Sequence, residues 1–383
     1  MTNTLTTLWL CPDQVFDGDQ LYTEVAVEIS NRKVVSLKSL SNLPVTAKIS
    51  RVSGTITPGY LDLQVNGGGG VLLNNDPTVA GIQAIVAAHR HFGTVGLMAT
   101  IITDAPEVLA RSVAAVIAAQ GTPGLLGLHI EGPHISIQKR GTHAAKFIRP
   151  LDSASIALIE QLRNANITVM MTVAPEAVQK GQISTLVGLG TIVSLGHSDA
   201  DQAATQAALA EGASCFTHLF NAMSPMLGRA AGITGTAINS SAYCGIICDG
   251  HHVADEMIGL AIRARPATDR MFLVSDAMAT VGGLNQFSLY GQKIRLINGR
   301  LVNNEGALAG AHITLAQSVA RLISVLKIAP EAALRMAVTV PSLVLKRPDL
   351  AKLIGRNAED VLILGADWMP EGTCDKYSAQ TTC

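Results

Sequence analysis

The chain has 383 residues, with 28 Lys and Arg against 29 Asp and Glu, a formal net charge of -1 that leaves no basic footprint for nucleic acid or an anionic membrane. Only 15% of its residues are charged and 48% are hydrophobic, which excludes a disordered chain and calls for a large core. The length also excludes a small binding module and suits either two domains or one barrel of about 250 residues with an appendage.

Residues 1–56 read as short strands joined by turns (LTTLWL, EVAVEIS, KVVSLKSL), the first part of a small β domain. These first residues carry Asp13, Asp17, Asp19, Glu24 and Glu28 instead of a basic start and apolar stretch, so no secretory signal is read and the cytoplasm is expected. Mean hydropathy is positive, yet no run of about 18 uncharged apolar residues is present to cross a bilayer. The cysteines Cys11, Cys215, Cys244, Cys248, Cys374 and Cys383 have neither metal-finger spacing nor the density of a disulfide framework, and read as reduced packing thiols.

From Thr57 to about 339 short apolar runs alternate with alanine-rich helical stretches. The strands expected are 57–65, 96–103, 124–132, 167–176, 191–199, 215–223, 243–251 and 271–278; helical patterns are read at 77–92, 105–120, 152–164, 200–211, 254–264 and 312–327. Eight parallel strands with helices between them predict an α/β fold, a (β/α)8 TIM-like barrel over 57–339. Polar insertions at 133–150, 224–239 and 280–311 fall at its C-terminal mouth, where such barrels place their sites. The last part, 340–383, includes the strand-like RNAEDVLILGADW (356–368) and reads as the return segment of a composite β domain from both chain ends; no strand is read after Trp368.

Each barrel strand begins apolar and ends in residues able to do chemistry: Gln64 and Asn66, His129 and Glu131, His197 and Asp199, His218 and Asn221, Asp249 with His251 and His252, and Asp276. Fold stability does not require several imidazoles and carboxylates at one end of a barrel; metal-assisted hydrolysis does. Singly, each has a bland reading. His129 reads as a satisfied core group, because alternation turns it and Glu131 to one face without telling which is a ligand. A buried Glu131 needs a partner, an ion pair or a metal. With His197 and His218 at two further strand ends, metal ligation is the stronger reading of the three. Asp276 is either a loop cap or a general base that takes a proton from water and later protonates the leaving nitrogen. The run NGGGG (66–70) lacks the Lys-Ser/Thr ending of a phosphate loop and is read as a turn.

The motifs PGYLDLQVNG (58–67), GLHIEGPH (127–134), KRGTH (139–143), SLGHSDA (194–200), THLFNAM (217–223), CDGHHV (248–253) and VSDAM (274–278) together resemble the N-acetylglucosamine-6-phosphate deacetylase family of the amidohydrolase superfamily, in order from about 54 to 365. The resemblance implies an eight-stranded barrel beside a small β domain, and a divalent metal, usually zinc, on Glu131, His197 and His218. It implies Asp276 as catalytic acid and base, and His143, with Thr142 beside it, as the group orienting the acetyl carbonyl. Asn221, Ala222, Arg229 and His252 would hold the sugar or its phosphate, and Ala309, Gly310 and Ala311 would touch the acetamide side. A homodimer is expected, with Arg229 in the mobile-looking MSPMLGRAAGIT segment reaching the neighbouring subunit's site. Where many amidohydrolases carry His-x-His, this chain has Asp62-Leu63-Gln64, and the fourth strand lacks the bridging lysine of two-metal relatives, so one ion per chain is expected.

On this reading an acetamide is hydrolysed to acetate and glucosamine 6-phosphate. Two rivals stand beside it: a cyclic amidase or deaminase on the same barrel, and an inactive sugar-phosphate-binding barrel. An acetate-release assay with metal analysis separates the three.

Overall fold

The computed structural model describes residues 7–304, 306 and 308–378. Its centre is a parallel sheet of eight strands that run in chain order: Tyr60–Val65, Thr94–Ile102, Leu125–Glu131, Thr168–Val173, Ile192–Leu195, Cys215–Phe216, Tyr243–Ile246 and Met271–Leu273. A parallel bridge from Val65 to Ala277, just past the eighth strand, brings the last strand back to the first and closes the barrel. All eight lie within or beside the expected runs, and most are shorter. The sixth stops after two residues, because His218, Phe220 and Ala222 take positive φ (31°, 77° and 52°) and turn the chain out of the ladder.

The six expected helices are present, and side-chain caps set where several begin. Thr78 accepts from the Gly81 N–H ahead of Val79–His91, Asp152 from Ser155 ahead of Ser153–Asn164, and Asp201 from Ala204 ahead of Gln202–Ala210. Thr314 and Gln317 form a reciprocal capping box ahead of Leu315–Ser324. Helices at Gln182–Gly188 and Gly232–Ile238 were not anticipated; the second lies inside the insertion read as polar, and every one of its residues is buried.

The 280–311 insertion folds as a three-stranded antiparallel meander, Gln286–Leu289, Gln292–Ile297 and Arg300–Val302. Both of its turns have two central residues at positive φ, Tyr290 with Gly291 and Asn298 with Gly299, the mirror-image turn that matches strand twist. The Asn-Gly pair was a legible hairpin signal.

Outside the barrel, one sheet joins Leu8–Cys11, Val25–Ser30, Lys33–Ser39 and Ile49–Arg51. A second joins Gln14–Phe16, Leu21–Tyr22 and Thr55–Pro58 to Val361–Leu364 and Pro370–Thr373, so strands from both ends of the chain share it. The tail after Trp368 therefore does form a strand, against expectation: the backbone of residues 370–373 pairs with 362–364, a ladder that needs no apolar alternation on an edge. The helix Thr339–Val344 spans the expected boundary at 340, and its Val340 and Val344 pack under the barrel against Leu63, Met98 and Phe272. The five described cysteines are free and buried, and Cys383 lies outside the described residues. Burial pushes the Cys215, Cys244 and Cys248 thiols up to about 12, as inert packing groups require.

Side chains fill the barrel interior in layers. At the N-terminal end sit Leu63, Met98, Met170, Cys215 and Phe272. Above them the hydroxyls of Thr172, Thr217 and Ser194 form a chain, Thr172 to Thr217 at 2.6 Å and Ser194 to Thr217 at 2.6 Å, which ends on His129 Nε2 at 2.7 Å from Thr172. Burial lowers His129 to about 4, which favours the neutral ring; its Nε2 is bonded to Thr172, while its buried Nδ1 has no hydrogen-bond partner among the described residues. The outer faces of the strands, with Leu128, Ile130, Met171, Val193, Leu195 and Leu273, bury against the helices. Each such side chain contributes about 1.5–3 kcal/mol.

Candidate active site

At the C-terminal end of the barrel the next layer is ionisable. Glu131, His197 and His218 leave three different strands and meet: His218 Nε2 lies 2.9 Å and His197 Nε2 3.2 Å from Glu131 Oε1, and the two nitrogens are 3.1 Å apart. The side chains are almost fully buried, with Glu131 2%, His197 5% and His218 3% exposed. His197 Nδ1 faces the Lys139 carbonyl at 2.9 Å, which only accepts; Nδ1 therefore carries the hydrogen and Nε2 a lone pair. Two acceptor atoms held this close repel unless a cation lies between them. The triangle is also close to the edge of roughly 3.3 Å expected between ligand atoms set tetrahedrally at 2.0–2.1 Å from one ion. The residues present thus fit a divalent metal. Burial alone would raise the Glu131 carboxyl, but the imidazoles of His197 and His218 against it outweigh burial and hold it well below the usual carboxylate range. Glu131, His143 and His197 form an overlapping set whose ligand atoms all lie within 4.8 Å of one another.

Asp276 sits across from this cluster. Its Oδ1 accepts from Asn66 Nδ2 at 2.6 Å and from Gln64 Nε2 at 3.2 Å, and the Gln64 amide also donates to Glu131 Oε1 at 2.9 Å. One amide thus bridges two carboxylates and offsets their repulsion. Burial, and then the Glu131 charge, push the Asp276 carboxyl up to about 6. The backbone fixes its place: Asp276 N donates to the Gln64 carbonyl and Ala311 N to the Asp276 carbonyl, both at 3.0 Å.

Strain concentrates here. His197 (φ 47°), His218 (φ 31°), Ala222 (φ 52°) and Asp276 (φ 49°) are left-handed without being glycine, each costing about 1–2 kcal/mol. The surrounding hydrogen bonds hold them: Ser136 N donates to the His197 carbonyl at 2.8 Å and Asn221 N to the His218 carbonyl at 3.0 Å.

Glu131, His143, His197, His218 and Asp276 line one cavity of about 200 Å³ together with Thr142, Asn221, Ala222, His252 and Gly310. His252 is oriented by Asp249, whose Oδ2 is 2.6 Å from its Nδ1, whereas His251 is exposed and accepts from Arg300 Nε at 3.3 Å. Ala309 and Ala311 do not line the cavity; both pack in apolar clusters behind it, and Ala311 acts through its backbone on Asp276. Arg229 is exposed and lines a separate groove with Asp201, Gln206 and Pro225, so in one chain it does not reach the cavity. Five lining residues are given no site role by the sequence: Asn66 stands there only as a strand end, Gly141 and Met278 only inside quoted motifs, and Ile102 and Leu308 not at all. Met278 had a signal, since it closes the VSDAM motif two residues beyond Asp276.

No family model matches the chain. It is 37% identical over 360 residues to N-acetylgalactosamine-6-phosphate deacetylase of Shewanella sp. (strain ANA-3), covering 90% of each chain. It is 32% identical over 294 residues to N-acetylglucosamine-6-phosphate deacetylase of Haemophilus influenzae, covering 75% of this chain and 76% of that one. Among solved structures, N-acetylglucosamine-6-phosphate deacetylase from Pasteurella multocida superposes with a TM-score of 0.87 at 29% identity, covering 96% of this chain and 98% of that chain. A mutant of the Mycobacterium smegmatis enzyme in complex with N-acetyl-D-glucosamine-6-phosphate gives 0.87 at 27% identity, covering 96% and 97%. With the ionisable cluster at the mouth of an eight-stranded barrel and relatives of this identity along most of its length, the chain is a hydrolase that belongs to the N-acetylglucosamine-6-phosphate deacetylase family of the amidohydrolase superfamily.

Proposed function

We propose that this chain hydrolyses the acetamide of N-acetyl-D-glucosamine 6-phosphate to D-glucosamine 6-phosphate and acetate. The observation that carries the reading is Asp276, held by two side-chain amides opposite the Glu131, His197 and His218 cluster inside one cavity. Those three residues would hold one divalent ion, and oxygen with imidazole donors suit zinc among others. When bound, such an ion polarises a carbonyl oxygen and acidifies water.

The chain's own groups do the rest. Asp276, ionised at neutral pH, takes a proton from the attacking water and returns it to the amine nitrogen as the C–N bond breaks. His143 Nε2 reaches the oxygen that gains charge. His252, oriented by Asp249, and Asn221 with Ala222 face the hydroxyl-bearing sugar, while Ile102, Met278 and Leu308 form an apolar wall suited to the acyl methyl. The Gln64 amide lies between Glu131 and Asp276, where two-metal relatives need a second ligand set, which supports one ion per chain.

Further parts of the reading concern the whole molecule. Exposed Arg229 supports a homodimer in which it binds the phosphate of the partner's substrate. The two outer sheets support a composite β domain made from residues 1–56 and the return segment after 340, with the helix at 339–344 seated on the barrel. Among the described residues no helix is long and apolar enough to cross a membrane; with small metabolites as partners, a cytoplasmic enzyme is the reading adopted.

The relative at 37% identity acts on the galactosamine epimer, which supports a second reading with N-acetyl-D-galactosamine 6-phosphate as substrate. Acetate release from both epimers, with elemental analysis of protein purified without added metal, tests all of this. Release with about one ion per chain is expected; two tight ions, or no release from either epimer, overturns it.

A further inference from the structure

His143 and His197 stand side by side, ring centroids 4.4 Å apart, and their Nδ1 atoms face partners of different chemistry. The partner of His197 is a carbonyl. The partner of His143 is the hydroxyl of Thr103, 2.7 Å away at the end of the second barrel strand. A hydroxyl donates or accepts, so here the tautomer is decided by where its single hydrogen goes. Thr103 Oγ1 has two acceptors in view, His143 Nδ1 at 2.7 Å and the Glu131 carbonyl at 3.4 Å. Hydroxyl bonds to oxygen normally span about 2.5–3.0 Å, which makes the carbonyl the far weaker acceptor. The hydrogen goes to His143 Nδ1. With Nδ1 accepting that hydrogen, the ring's own hydrogen is left on Nε2, the nitrogen open to the cavity.

We propose that Thr103 is a positioning residue that locks His143 as the Nε2–H tautomer, making it a hydrogen-bond donor to the substrate's amide carbonyl and barring it from the metal ligand set. The part of this that concerns substrate rests on the deacetylation reading above; the tautomer does not. The neighbourhood is built around the hydroxyl. Gly132 gives it room, since a Cβ there would come within 2.2 Å of Thr103 Oγ1. Tyr290, from the meander after the eighth strand, donates its hydroxyl to the Thr103 carbonyl and so anchors the backbone of the same residue. Three elements far apart in sequence thus converge on one imidazole. The tautomer also separates the two overlapping candidate ligand sets: a hydrogen on Nε2 leaves His143 no lone pair for an ion on that side, whereas His197 keeps one.

The test is nitrogen NMR of zinc-loaded protein labelled at the histidine rings with 15N, the His143 signals assigned by their loss in His143→Gln. The expected result is a hydrogen on Nε2 and a bare, hydrogen-bonded Nδ1, unchanged in Thr103→Ser and lost to a mixture of tautomers in Thr103→Val. Turnover of the valine variant should fall about 10- to 100-fold, as for other groups that orient a site residue, with KM within about threefold and serine restoring most of the rate. Zinc content should match the wild type in both variants. A hydrogen on Nδ1 in the wild type, loss of zinc in Thr103→Val, or a valine variant with normal turnover each overturns the proposal. If the wild type hydrolyses neither sugar phosphate, the deacetylation reading fails while the NMR result still decides the tautomer.

Discussion

The two ends of the barrel are built from the same eight strands and obey opposite rules. At the N-terminal end, Leu63, Met98, Met170 and Phe272 meet the helix at 339–344 in an apolar plug, and stability comes from packed volume. At the C-terminal end the ionisable groups Glu131, His197 and His218 are buried and Asp276 is half-buried beside them, and His197, His218 and Asp276 stand on left-handed backbone. The hydroxyl layer of Thr172, Ser194 and Thr217 lies between. A barrel tolerates a costly mouth because its other end is closed by ordinary hydrophobic packing, so removal of a side chain should damage chemistry at one end and stability at the other.

The largest effect expected is at the mouth. Asp276→Asn keeps the shape and the amide contacts but cannot shuttle a proton, so turnover should drop by about 10² to 10⁴ with metal content unchanged. Steady-state acetate release alongside elemental analysis checks this, and near-normal turnover would remove Asp276 from the mechanism. The matched change below is Leu63→Ala, which opens a void in the plug and should cost about 2–5 kcal/mol in unfolding free energy while kcat stays within about twofold. Equal losses of activity and stability in both variants would break the contrast between the ends.

Met278→Ala probes the boundary between the two rules, because this side chain faces the cavity yet packs with Leu72, Ile102 and Leu289. Its flank is pressed against Gly310, where an added Cβ would come within 2.6 Å of Met278 Cγ. Shortening it should shift the kcat/KM ratio of N-propionyl over N-acetyl substrate upward by about tenfold, the scale of one methylene in a fitted pocket. An unchanged ratio would place the acyl group elsewhere.

The smallest effect concerns Asp152, which caps the helix after the loop that carries His143 and pairs with Arg149. Burial opposes its ionisation, but bonds from the Ser155 backbone and Arg149 hold its carboxyl at about 2, below the roughly 3.9 of an unfolded aspartate. The carboxylate therefore adds stability that is complete above about pH 4 and disappears as pH falls toward 2. Asp152→Ala should cost about 1 kcal/mol at pH 7, and the gap to wild type should close in acid; chemical unfolding at both pH values measures it.

Much of this molecule was readable before any coordinates. Period and spacing located the eight strands and six of the helices, because a buried parallel strand needs a continuous apolar run and a packed helix needs its stripe. Strand-end chemistry also marked Glu131, His197, His218 and Asp276, since polar residues that end apolar runs in a barrel share one mouth. What followed from contacts between distant segments was not readable. Pairing of residues 370–373 with 362–364 depends on backbone groups that carry no side-chain signature, and Ala309 and Ala311 face away from the cavity although their neighbour Gly310 lines it. The same holds for Thr103 and Tyr290, unremarkable polar residues in their own stretches, and for the bonding partners of Gln64, which its strand end marked without naming what it touches. Each acquires its role because the closed barrel sets its hydrogen-bonding atoms within about 3 Å of a group dozens to hundreds of positions away, a distance that local periodicity does not encode.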